Sequence, residues 1–135
     1  MSMFKVLDIA GSAMNAQLVR LNTTASNMAN ADSVATTEAE AYRAKQPVFA
    51  ALLQETANAA AGVQVTGIVE SQAPVIKRYE PGNPMADADG YVFGSNVNEV
   101  EEMANMISAS RSFQNNSEVF NTSKDLMMRT LQLGR

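Results

Sequence analysis

Few side chains in this sequence could carry chemistry, and most of them fail on type or spacing. The 135 residues include 14 acidic and 10 basic side chains but no histidine and no cysteine. Imidazole acid–base chemistry, thiolate nucleophiles, disulfides and Cys/His zinc sites are therefore excluded, and a Ser-His-Asp triad cannot be built. Carboxylates and hydroxyls remain. Asp87-Ala88-Asp89-Gly90 looks like the start of a calcium loop. An EF-hand requires Gly at its sixth position and Glu at its twelfth. Val92 and Asn98 stand there, so the segment reads as a turn leading into Tyr91. Glu101 and Glu102 are adjacent, and neighbours on a helix do not converge, so a solvated first helical turn is expected rather than an acid–base pair. Asn22-Thr23-Thr24, Asn115-Asn116-Ser117 and Asn121-Thr122-Ser123 match the glycosylation sequon but fall in helical context. There is no Gly-rich phosphate loop. The expectation is no enzyme, no metal and no cofactor.

Composition narrows the partners. A net charge of −4 and a pI near 4.7 offer no cluster of Lys and Arg for nucleic acid or an anionic membrane. Hydrophobic residues make up 46% of the chain, much of it Ala plus nine Met, which suits adaptable contact surfaces. No run approaches the ~20 apolar residues of a transmembrane helix. From Met1 to Leu18 the apolar sequence is broken by Asp8, Asn15 and Gln17. A cleavable secretory signal needs an unbroken run of ~7–15, so export, if any, is expected to use no cleaved signal. At ~100–200 residues per domain, one folding unit is expected.

Two helical patterns bracket the chain. Leu7, Gly11, Met14, Leu18, Leu21, Ala25 and Met28 alternate spacings of four and three, which is an a/d seam over three heptads. An ordinary amphipathic helix on a globular core fits the same periodicity. A polar stretch from Ala31 to about Glu40 ends this helix near Asn30. At the other end, Met106, Phe113, Phe120 and Met127 recur every seven residues, with Met103 and Leu131 extending the face. Asn98 or Ser95 would cap that helix, Glu99, Glu101 and Glu102 suit its first turn, and Arg129 its last, before Gly134. A helix over 98–132 is ~50 Å long. A globule of this size is only ~30 Å across, so such a helix must project or pack on other molecules.

Between the helices, Val63, Val65 and Val69 alternate with polar residues as in a strand, and Val75, Lys77 and Tyr79 do likewise. Pro81-Gly82-Asn83-Pro84 is a turn, and Tyr91-Val92-Phe93 a short third strand. Ala57 to Gly62 reads as a flexible connection or as an Ala-rich helix ending at Gly62. The expected fold is therefore mainly α, with a small β-rich central lobe. Residues 1–30 and 98–135 would form the helical domain, and 31–97 an extended linker with the lobe.

Leu21-Asn22-Thr23-Thr24-Ala25-Ser26-Asn27-Met28-Ala29-Asn30 resembles the signature L-N-x-x-A-S-N-L-A-N of the bacterial flagellar rod and hook proteins. The likeness continues through Phe4 to Asn15, Tyr42 to Phe49, Tyr79 to Asp87, Gly90 to Val92, Asn96 to Asn98, Glu101 to Met103, Ser108 to Ser112 and Thr130 to Gly134. It runs nearly end to end. Met28 replaces the usual Leu, Phe113 the usual Tyr and Asn115 the usual Ala, while Gly94-Ser95 precedes Asn96 where a Pro is common. The segment 55–61 is the least family-like and reads as a variable loop.

The resemblance implies a non-enzymatic subunit of the proximal rod in the flagellar basal body. It implies export by the flagellar type III apparatus, and assembly across the periplasm through terminal helices paired as an antiparallel coiled coil. Implied partners are copies of itself, the rod proteins FlgB, FlgF and FlgG, the FliE ring adaptor, and the export apparatus in transit. Expected subunit-interface residues are Leu7, Gly11, Met14, Leu18, Leu21, Ala25, Asn27, Met28, Asn30, Met103, Met106, Phe113, Phe120, Met127 and Leu131. A cytoplasmic coiled-coil adaptor or export chaperone, gripping one partner through the first seam, is the alternative.

Overall fold

The computed structural model describes residues 3–54 and 59–134. Helix α1 spans Met3–Ala29 and helix α2 Glu99–Leu133. Five strands lie between them: β1 (Val34–Ala35), β2 (Lys45–Gln54), β3 (Ala59–Glu70), β4 (Lys77–Tyr79) and β5 (Tyr91–Gly94). Strands β2 and β3 form an antiparallel two-stranded ribbon, and β1-β5-β4 form a small antiparallel sheet. The two helices pack on each other, and one side of the ribbon rests on α1.

Local chemistry explains where the helices begin and end. The Asn98 side chain accepts from the backbone N–H groups of Val100 (3.1 Å) and Glu101 (3.3 Å), two donors with no partner inside the helix. Glu99, Glu101 and Glu102 follow in the first turn, at the positive end of the helix dipole. Ser95, the other candidate cap, instead donates from Oγ to the carbonyl of Ala31. Helix α2 runs to Leu133 with Gly134 as its cap, so Arg129 falls short of the last turn where it was expected. At the end of α1, Asn30 Nδ2 donates to Ser26 O at 2.8 Å, and its backbone N–H donates to the same carbonyl at 3.2 Å.

The β region departs from expectation in its longest element. The Lys45–Gln54 strand has no clear alternation, because its register against β3 shifts at Val48/Phe49 and again at Leu52/Leu53. Each bulge resets the period of two, which erases the usual strand signature. Residues 59–62 belong to β3, not to a flexible loop or an Ala-rich helix. The rest of that stretch, 57–58, and residues 55–56 of the expected variable loop lie outside the described residues. A two-residue strand also sits in the polar stretch after α1.

The turn before β5 is built as its residue types suggest. Asp87 Oδ1 accepts from the N–H groups of Asp89 (3.0 Å) and Tyr91 (2.8 Å), and Gly90 takes φ +82°. A Cβ there would stand 2.9 Å from the Tyr79 ring, so only Gly fits. In the small sheet, Tyr79 packs on Tyr91 with ring centroids 5.1 Å apart, and Lys77 Nζ lies 4.3 Å from the Tyr91 centroid.

Candidate assembly surface

A polar junction ties the end of α1 to the root of the ribbon. Asn27 is 1% exposed. Its Nδ2 donates to Lys45 O (2.8 Å), and its Oδ1 accepts from Lys45 N–H (2.8 Å) and from the Tyr42 hydroxyl (3.0 Å). An amide side chain offers a donor and an acceptor side by side, so Asn27 pairs with Lys45 as a neighbouring strand would. Asn96 does the same on the other side. Its Oδ1 accepts from Ala44 N–H (2.6 Å), and its Nδ2 donates to Ala73 O (2.9 Å) and Ser71 O (3.3 Å). Arg43 donates to the same two carbonyls. These bonds fix the angle at which the ribbon leaves the helices.

The expected interface residues fall into two groups. Asn27 and Asn30 have tasks within their own chain, the first holding the ribbon and the second closing α1. In α1, the side that packs within the chain carries Ala10, Ala16, Thr23, Thr24 and Asn27. About 100° of turn per residue sets that group roughly 130° around the helix from the seam. Seam residue Leu18 is 47% exposed, Ala25 is exposed, and Leu7, Gly11, Met14, Leu21 and Met28 are half-buried. In α2, Met106, Phe113, Phe120 and Met127 are half-buried, and Met103 and Leu131 are exposed.

Further exposed apolar residues were not singled out by periodicity: Ile107, Val119, Leu126 and Met128 on α2, and Leu53 and Ile68 on the ribbon. The apolar run Val48 to Leu53 was the available signal for Leu53. Glu102, expected in a solvated turn, is 5% exposed. The ribbon root and α1 cover it, which adjacency to Glu101 could not reveal.

Among the described residues the buried apolar set consists of Ala10, Ala16, Ala35, Ala41, Ala44, Ala109 and Val92, while the larger apolar side chains are half-buried or exposed. Such a surface is made to be covered. Two family models match the chain. "Flagella basal body rod protein" matches residues 7–35, and "Flagellar basal body rod FlgEFG protein C-terminal" matches residues 88–133. The chain is 53% identical to the flagellar basal-body rod protein FlgC of Salmonella typhimurium and 54% identical to that of Escherichia coli O6:H1, in each case over the whole of both chains. It is 31% identical to the FlgC of Bacillus subtilis, again over both full lengths.

The chain belongs to the FlgC family of flagellar basal-body rod proteins. A FlgC-type protein is a structural rod subunit and not an enzyme, which sets aside the adaptor and chaperone alternative. No helix among the described residues is long and apolar enough to cross a membrane.

Proposed function

We propose that this rod subunit is exported by the flagellar type III apparatus without a cleaved signal. It then polymerises through α1 and α2, paired as an antiparallel coiled coil, in the proximal part of the periplasm-spanning rod. One observation carries the reading: apart from Val92 the fully buried apolar residues are alanines, while many Leu, Ile, Val, Met and Phe side chains stay half-buried or exposed. Burying such side chains is worth ~1.5–3 kcal/mol each, and only neighbouring molecules can cover them here. The antiparallel arrangement rests on two hydrogen bonds. Ser95, just before α2, bonds Ala31, just after α1, and Arg20 Nη2 reaches Asn105 Oδ1 at 3.1 Å further along both helices. Copies of the chain, FlgB, FlgF, FlgG and the FliE adaptor are the proposed neighbours.

The test is Leu18→Asp, expressed in a strain lacking the gene. Leu18 lies on the seam and outside the chain's own packing, so the variant folds, is absent from isolated basal bodies and supports no swimming. Normal swimming would overturn the seam as the contact surface.

A further inference from the structure

Glu102 is 5% exposed, yet its side chain forms no hydrogen bond and no ion pair with any described residue. Its carboxylate lies at a cleft, where a donor or cation from outside the chain can reach it. Glu102 lines this cleft of about 300 Å³ between the start of α2, the last third of α1 and the root of β2, together with Glu101, Arg20, Lys45, Pro47, Phe49 and Asn105. Neither cation lining the cleft forms an ion pair with Glu102. Arg20 donates to Asn105 Oδ1 at 3.1 Å, and Lys45 Nζ lies 5.6 Å from the Tyr42 ring centroid.

The matching group stands on the far side of the same helix. Arg111 is exposed, with Ile107, Ser108, Gln114 and Asn115 at the positions three and four residues away, so no acid neighbours it on α2. It makes no ion pair with any described residue. Nine residues of helix put Arg111 roughly 180° around from Glu102 and about 14 Å along the axis. The two cannot meet within one chain. Arg111 also ends an exposed apolar row, Val100, Met103 and Ile107, at spacings of three and four.

We propose that Arg111 of one copy enters the cleft of a neighbouring copy and pairs with its Glu102, while Met103 and Ile107 cover Pro47 and Phe49. The planar guanidinium offers two parallel donors to a carboxylate and is weakly hydrated, so it tolerates withdrawal from water better than an ammonium. Because cleft and arginine lie on opposite sides of α2, each copy uses one of each toward different neighbours. Such a contact is head-to-tail and need not close, so it extends as a helix. Two other cations of α2 fit less well. Arg129 has Asp125 one turn before it, and Lys124 lies near the Glu102 side of the helix.

This pairing rests on the rod-assembly reading, and the experiment separates the two. The chain has no cysteine, so introduced thiols are unique. Gln46→Cys marks the rim of the cleft and Gln114→Cys the turn after Arg111; Gln132→Cys is the equivalent mark beside Arg129. Isolated basal bodies carrying Gln46→Cys with Gln114→Cys, treated with a short bis-maleimide, should give a ladder of covalent dimers and higher oligomers. Those carrying Gln46→Cys with Gln132→Cys should give none. A subunit present in basal bodies without the first ladder, or with only the second, refutes the pairing and leaves rod assembly standing. A subunit that never enters basal bodies refutes the assembly reading itself. Charge exchange is the second arm: Glu102→Arg alone abolishes swimming, and Glu102→Arg with Arg111→Glu recovers it.

Discussion

The junction around Asn27 and Asn96 and the outer faces of the two helices are built on opposite plans. At the junction, the buried Asn27 and half-buried Asn96 amides meet backbone or hydroxyl partners within the same chain. On the helices, many large apolar side chains are only half-covered or are exposed. The first arrangement specifies one shape for a single molecule. The second leaves apolar area that the chain itself does not cover. A rod subunit needs both, because a polymer is regular only if each copy presents its sticky faces at the same angle.

That contrast can be broken from the junction side first. Asn27→Ala should have the largest effect on the isolated chain. It leaves the Lys45 N–H and C=O without their Asn27 partner, while the Tyr42 hydroxyl keeps Ser26 Oγ at 3.2 Å. The expected loss is about 3 kcal/mol, given 1–3 kcal/mol for each buried group left unsatisfied and partial access of water to the site. Urea unfolding followed by tyrosine fluorescence would measure it. An unchanged midpoint would mean that the ribbon's angle is held elsewhere.

Asn96→Ala should cost somewhat less, about 2 kcal/mol, because Arg43 continues to serve the Ser71 and Ala73 carbonyls. The informative comparison is Asn96→Ala against the double variant with Arg43→Ala, in which the losses should exceed their sum. Simple additivity would show that the two side chains do not share a task.

Asn98→Ala removes only the cap of α2 and should cost about 1 kcal/mol, read as a shift in the same unfolding midpoint. At the far end of the scale, Leu18→Asp should leave the isolated chain within about 0.5 kcal/mol of the parent while abolishing swimming. A large loss of stability in that variant would place Leu18 in the chain's own core and erase the distinction between the two regions.

Much of this was readable in the order of residues, because it depends on near neighbours. The 3.6-residue period marks both helices, Asn98 and the three following acids mark where α2 starts, and Asp87 with Gly90 marks the turn before β5. The likeness to rod proteins is likewise carried by residue order. Each feature is set by side chains within a turn or two of one another, so tertiary structure does not alter them.

What tertiary structure decided is which side of each element faces inward. Periodicity shows that a helix has an apolar stripe but not whether its own chain or another will cover it. In α1 the chain packs small residues inward, since Ala and Thr let two helices approach closely, and leaves the larger seam partly open. The same holds for single residues. Asn27 reads as an interface residue from its place in the signature, yet it binds Lys45, eighteen positions away. Glu102 reads as a solvated acid beside Glu101, yet the fold encloses it. Strand β2 lost its alternation to two bulges that exist only because β3 lies beside it. Local sequence specified the elements; contacts between residues far apart in the chain specified which of their faces remain for other molecules.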